Sequence, residues 1–87
     1  MKKWTQINPL DPKLRSLISK HLTDDEVILD VIASDAGEMT VTLVGKKLHD
    51  LSSNPETKIP IFLAGRQLRF RFENGQWTFE SVQEWIE

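Results

Sequence analysis

Two alternating segments joined by Asn74-Gly75 constrain the fold of this chain more than any other feature of its sequence. Residues 68–73 and 76–80 alternate apolar and polar side chains, which is the pattern of strands with one buried face. Asn-Gly is the preferred pair for a two-residue type I′ turn, because both central residues need positive φ. The sequence therefore predicts a β-hairpin over residues 68–80, with a register fixed by its turn.

This register predicts which side chains face each other across the hairpin. The expected pairs are Phe72–Trp77, Phe70–Phe79 and Arg69–Glu80. Cross-strand pairs of these kinds each contribute roughly 0.2–1 kcal/mol to stability. We therefore expect the four aromatic rings to belong to the core, and the charged side chains between them to lie on the opposite face of the sheet.

Upstream of the hairpin, the patterns predict one helix and three more strands. Asp11-Pro12 is a helix start, and apolar residues at helical spacing follow it until about residue 22. Residues 27–33 and 39–44 have strand composition and are separated by a turn at residues 35–38. The polar segment 45–58 is predicted to be a loop. Residues 59–63 are predicted to form a strand at the sheet edge, because Pro60 cannot donate a ladder hydrogen bond.

The end of the chain resembles a helix start. Ser81-Val82-Gln83-Glu84 matches a capping box, with Val82, Trp85 and Ile86 as the apolar stripe of a short helix. The expected fold class is therefore α+β, with an N-terminal helix, a four- to five-stranded antiparallel sheet of hairpins and a short C-terminal helix. We expect residues 1–87 to form a single compact domain with residues 1–10 as an extended N-terminal arm.

The composition excludes several kinds of chemistry. The chain has 87 residues and no cysteine, which rules out disulfides, thiolate nucleophiles and cysteine-ligated metals. No stretch approaches the ~20 apolar residues that a membrane span requires. We therefore expect a cytoplasmic domain that does not associate with membranes. The formal net charge of −2 argues against strong nonspecific nucleic-acid binding.

The residue types that usually carry catalysis are not arranged in a recognisable pattern. No feature of the sequence places His21 or His49 in a catalytic arrangement with a nucleophile. Residues 24–26 lack the spacing and the glycine of an EF-hand. The glycines are isolated, so no phosphate-binding loop is present. The sequence predicts a domain that is not an enzyme and that has no cofactor and no metal site.

Protein binding is the function that the apolar pattern favours. Ile28 and Ile32 are out of phase with their strand neighbours, and Phe62 is out of phase in the strand that contains Pro60. Apolar residues on both faces of a sheet need either a covering helix or a partner, and a strand edge can accept a peptide strand. We therefore expect a protein-protein interaction or accessory module that contacts another protein, or a second copy in a homodimer, through these four residues.

Nucleic-acid binding is the alternative. Its predicted site combines the cations that flank or belong to the hairpin with those of the polar segment, namely Arg66, Arg69, Arg71, Lys46 and Lys47. Proteins that bind single-stranded nucleic acids place such cations beside exposed aromatic rings. The predicted register puts the rings on the face opposite Arg69 and Arg71, which favours the protein-binding hypothesis. Aromatic rings exposed beside these arginines would favour the alternative.

Overall fold

The computed structural model describes residues 3–54, 56 and 64–86. Within these residues, five antiparallel strands form one sheet in the order β1-β2-β3-β4-β5, and two helices complete the fold. The strands are β1 (Trp4–Gln6), β2 (Glu26–Ser34), β3 (Glu38–Gly45), β4 (Ala64–Glu73) and β5 (Gln76–Ile86). The helices are α1 (Pro12–Ser19) and α2 (Lys46–Ser52). The α+β class with an antiparallel sheet is thus confirmed. The predicted strand at residues 59–63, with Pro60 and Phe62, lies outside the described residues.

The N-terminal arm contributes a strand to the sheet. In β1, Trp4 lies opposite Ser34 and Gln6 lies opposite Ile32, so that β1 covers the end of β2. The chain then turns into α1, which begins after Asp11. The Asp11 carboxylate accepts hydrogen bonds from the backbone N–H groups of Lys13 (3.0 Å) and Leu14 (3.4 Å), which satisfies two of the free donors of the first turn.

Helix α1 packs on one face of the sheet, which we call the helix-side face. Its buried residues Leu14 and Ile18 meet the buried residues of the central strands. The strand residues of this core are Val31, Met39, Val41, Leu43, Leu68 and Phe70. We call the opposite side of the sheet the far face.

The predicted C-terminal helix is wrong, because residues 76–86 form one continuous strand. Val82 lies opposite Leu68 and Ile86 lies opposite Ala64, so β5 follows β4 along its whole length. A helix of six residues is too short to be stable without extensive docking, whereas the same residues complete a ladder of backbone hydrogen bonds as a strand. The indole N–H of Trp85 adds hydrogen bonds to the carbonyl oxygens of Leu43 (2.9 Å) and Arg66 (3.2 Å).

The predicted loop at residues 45–58 contains α2. This helix starts after Gly45, which gives no side-chain cap. The Lys46 N–H donates instead to the Asp25 carbonyl oxygen at 2.6 Å, which ties the beginning of the helix to the turn before β2. Along the chain, one helix therefore precedes the strands β2 and β3 and the other follows them.

Two irregularities in the strands change which face each side chain occupies. One lies between Ile28 and Asp30 in β2, and the other lies opposite Arg69 and Phe70, where Glu80 is the extra residue of β5. A bulge inserts one residue without a direct partner, so the alternation of faces shifts by one beyond it. The predicted pair Arg69–Glu80 is therefore wrong: Arg69 lies opposite Ser81. The other pairs of the hairpin are confirmed.

Candidate interaction surfaces

The hairpin of β4 and β5 exposes apolar side chains on the helix-side face. Phe72, Phe79 and Val82 are 49%, 40% and 50% exposed, and Ile86 near the end of β5 is 82% exposed. We call these four residues the hairpin patch. The Phe72 ring packs edge-on against Trp77 with its centroid 5.1 Å away, which orders both rings in a preferred aromatic geometry.

The patch is continuous with the core through Phe79. The ring of His21 stacks on Phe79 with centroids 4.3 Å apart, and Phe70 meets both rings edge-on at 5.7 Å. Phe70 itself is 1% exposed. The expectation of four core rings therefore holds for Phe70, and Trp77 is half-buried against the core. Phe72 and Phe79 lie at the margin of the core.

Strand β5 has an unpaired outer edge in the part of the chain that the structure describes. It has 11 residues, and nine of them are exposed. Its charged residues are Glu80 and Glu84, and residues 76–86 include no Lys, Arg or His. An edge of this length presents a row of backbone donors and acceptors to solvent.

The residues that the sequence predicted as a protein contact do not gather on one face. The irregularity in β2 places Ile28 opposite Leu43, where it packs against the core on the helix-side face. Ile32 lies opposite Thr40 and Gln6 on the far face. The expectation that Ile28 and Ile32 share a face is therefore wrong. Their predicted companions Phe62 and Pro60 lie outside the described residues.

Arg66 belongs to a structural ion pair on the helix-side face. Its Nε donates to Glu26 Oε2 at 2.9 Å, its Nη2 donates to Glu26 Oε1, and Nη2 also donates to the His21 carbonyl oxygen at 2.7 Å. The hydrogen bonds from Arg66 lower the pKa of Glu26 below its ordinary value, against the opposing effect of burial. The same pairing raises the pKa of Arg66. The side chain of Arg66 is therefore committed within the fold.

Arg69 and Arg71 lie on the far face, as the register predicted. Arg71 Nη2 donates to Glu80 Oε1 at 3.2 Å, and its Nε lies 4.0 Å from Glu73. Arg69 lies opposite Thr40, and its side chain has no partner within residues 3–54, 56 and 64–86. Both arginines line a surface hollow of about 330 Å³ that also includes Trp4, Glu38, Thr40 and Glu80.

Lys46 and Lys47 lie far from these arginines. Lys46 begins α2, six positions after Thr40, the residue opposite Arg69. At about 3.3 Å per strand residue, this is a separation of roughly 20 Å. The five predicted nucleic-acid contacts are therefore divided between the helix-side face, the far face and the start of α2.

Two other kinds of site are absent from the described part of the chain. There, no three His, Asp or Glu side chains lie close enough together to hold a metal ion. Nor does either helix in it have the length and apolar character needed to cross a membrane.

The hairpin patch was not predicted from the sequence, because alternation alone assigns every ring of the hairpin to the core. The exposure follows from the short length of α1, which only the structure shows. A helix of eight residues is about 12 Å long, whereas five strands spaced about 4.8 Å apart span roughly 19 Å, so part of an apolar sheet face stays uncovered.

Comparisons with known proteins do not identify the chain or this surface. No family model, no curated protein and no solved structure matches the chain.

Proposed function

We propose that this domain binds another protein through the hairpin patch and the adjoining edge of β5. The observation that carries the proposal is the exposure of Phe72, Phe79 and Val82 side by side on one face of an edge hairpin. Exposed apolar side chains that lie next to each other are characteristic of interaction sites, whereas scattered ones are not.

The size of the patch indicates the kind of interaction. A phenylalanine buries about 150–250 Å² when fully covered, so the exposed parts of the four side chains amount to on the order of 300–400 Å². A standard interface covers about 800 Å² per partner. The patch alone therefore suits a weak contact, and a stable complex would also use the backbone edge of β5.

A site-specific crosslinker tests this proposal with a control on the same strand. Val82 lies on the helix-side face, and the exposed Gln83 beside it lies on the far face, opposite Gln67. A photoreactive phenylalanine analogue at position 82 should crosslink one defined protein in cells, identified by mass spectrometry. The same analogue at position 83 should give a much lower yield. Equal yields at both positions, or no product at position 82, would contradict the proposal.

A charge in the patch provides a second test. Val82→Glu should abolish the crosslink formed from position 79 to the same partner, because a carboxylate in an apolar interface loses its hydration without gaining a partner. Gln83→Glu adds the same charge to the far face and should leave the crosslink unchanged. Circular dichroism of both variants would establish that the sheet is retained.

Nucleic-acid binding is the second candidate, and one observation favours it. Trp4 is 42% exposed and lines the same far-face hollow as Arg69, an arrangement on which a base can stack beside a phosphate contact. Glu38 and Glu80 line this hollow as well, and Arg71 is already paired with Glu80. The local charge is therefore close to balanced, which makes this candidate the weaker one.

Titration of labelled single-stranded RNA and DNA at low and moderate salt separates the two candidates. Under the protein-binding proposal we expect no saturable binding. Tight, salt-dependent binding that Arg69→Ala removes and Lys47→Ala retains would make nucleic acid the preferred ligand, because each phosphate contact adds to the salt dependence.

A further inference from the structure

We infer that the partner supplies an extended basic segment that adds to the sheet as a sixth strand along residues 81–86 of β5. This inference rests on the proposed function, because it names the occupant of the same surface. Strand addition uses the backbone of the edge for affinity and alternate side chains for specificity.

The regular part of the edge begins after the bulge. Glu80 interrupts the pairing of β5, and from Ser81 to Ile86 every residue has a direct partner on β4. These six residues span about 20 Å, which is the usual length of a strand. A bulge disturbs the ladder at its own position, so an added strand would pair best beyond it.

The side chains of this segment specify a pattern. On the helix-side face, Val82, Glu84 and Ile86 follow one another, opposite Leu68, Arg66 and Ala64 of β4. A strand laid against the outer edge would place its own alternate residues beside these three. The matching sequence is an apolar residue, then a basic residue, then an apolar residue, each separated from the next by one position.

Among the residues that the structure describes, no cation is paired with the Glu84 carboxylate. Its cross-strand neighbour Arg66 is engaged by Glu26, and the side chain of Glu84 is exposed with no partner in the described residues. A Lys or Arg on an incoming strand directly opposite Glu84 would form a favourable cross-strand pair. Charge complementarity therefore selects a basic partner.

A second copy of this chain fits the edge less well. In two β5 strands paired side by side, the Glu84 of each copy would face an apolar residue or the Glu84 of the other copy, because residues 76–86 contain no cation. Like charges on paired strands are destabilising, and charged residues on an edge strand oppose pairing between copies.

Selection from a displayed library of random nine-residue peptides, with the full-length protein as target, tests the inference. We expect the enriched peptides to share a Lys or Arg flanked two positions away on each side by apolar residues. Enrichment of a different pattern, or no enrichment, would overturn the inference.

Charge reversal then tests the register with the enriched peptide. Glu84→Lys should weaken its binding about fivefold or more, as measured by fluorescence anisotropy, because an attractive pair becomes a repulsive one. Gln83→Lys makes a charge change on the far face of the same strand and should have a smaller effect. Methylation of those alternate backbone nitrogens of the peptide that face β5 should abolish binding. Equal binding to both variants and to the methylated peptide would exclude strand addition.

These outcomes are distinguishable from failure of the proposed function. If the crosslink at position 82 persists while the peptide tests fail, the hairpin patch binds a partner in another way and only strand addition is lost. If light scattering shows a dimer that Val82→Glu dissociates, the occupant is a second copy and the basic segment is excluded. If the crosslink is also absent, the proposed function fails with it.

Discussion

Arg66 holds both carboxylate oxygens of Glu26, a residue 40 positions earlier in the chain, although its cross-strand neighbour on β5 is Glu84. The pair connects the beginning of β2 with β4 past the end of β3, which lies between them in the sheet. It has two consequences. It fastens the end of the sheet at which α2 begins, and it leaves Glu84 exposed at the outer strand.

Glu26→Gln is expected to lower the free energy of unfolding at pH 7 by about 1–2 kcal/mol, since bonds to charged groups are strong but Arg66 is partly open to solvent. The folded state lowers the pKa of Glu26 from its ordinary value of 4.5. Its contribution is therefore fully present above about pH 4.5 and is lost as the pH falls through the folded-state pKa. The difference in Tm between wild type and variant should be constant from pH 7 to about 5.5 and should shrink below about 4.5.

Glu73→Gln is the matched control for this experiment. Glu73 is exposed and lies 4.0 Å from Arg71, so we expect an effect below about 0.5 kcal/mol. A Tm difference for Glu26→Gln that stays constant down to pH 3 would show that the ion pair does not contribute to the acid stability of the fold.

Gly65→Ala is expected to destabilise the domain by about 1–3 kcal/mol or more. A Cβ atom at position 65 would overlap the carbonyl oxygen of Leu43, which is backbone and cannot rotate away. Gly45 has ordinary extended geometry, and a Cβ added to it would meet no atom within 4 Å, so Gly45→Ala should cost below about 1 kcal/mol. Urea denaturation compares the two variants, and equal stabilities would contradict the expected close contact.

Gly75→Ala isolates the contribution of turn geometry. Gly75 has φ of +80° and Asn74 has φ of 52°, while no atom lies within 4 Å of a Cβ placed on Gly75. The expected loss of about 1 kcal/mol therefore comes from backbone strain alone. Thermal unfolding measures it. A variant as stable as wild type would indicate that the turn adopts another conformation at no cost.

Asp30→Asn is expected to stabilise the domain by about 0.5–1 kcal/mol. One carboxylate oxygen of Asp30, Oδ1, is buried and has no hydrogen-bond partner in the described residues. The substitution removes the negative charge and leaves the shape of the side chain unchanged. It therefore reduces the cost of keeping this carboxylate oxygen away from water. Asp24→Asn, in an exposed turn, is the control for the loss of net charge. Chemical denaturation at pH 7 tests both, and a destabilised Asp30→Asn variant would contradict the expectation.

Local chemistry explains the parts of the fold that the sequence predicted. Asn74-Gly75 dictates a tight turn, and from it the pairs Phe72–Trp77 and Phe70–Phe79 follow. Asp11 begins a helix because its carboxylate accepts hydrogen bonds from free N–H groups of the first turn. Pro12 favours the same start because it has no N–H group that would need a partner there. These features depend on residues within a few positions of each other, so the sequence alone specifies them.

The face of the sheet that a side chain occupies was less predictable, because it depends on unbroken alternation along the strand. One extra residue in β2 places Ile28 in the core and Ile32 on the far face. Glu80 is extra in β5, so Arg69 faces Ser81 and Glu80 turns to Arg71. Alternation predicts faces only as long as every residue has a partner, and a bulge leaves no clear mark in the sequence.

Short-range residue patterns specify the hairpin turn, the start of α1 and the alternation that separates Phe70 from Arg69 and Arg71. Long-range pairing makes residues 81–86 extend a strand, because β4 offers them a ladder of backbone partners that a six-residue helix lacks. The tertiary structure also brings Arg66 to Glu26 and leaves Phe72, Phe79 and Val82 exposed. These outcomes depend on which distant strands meet and how far an eight-residue helix reaches across them, and no local pattern encodes either quantity.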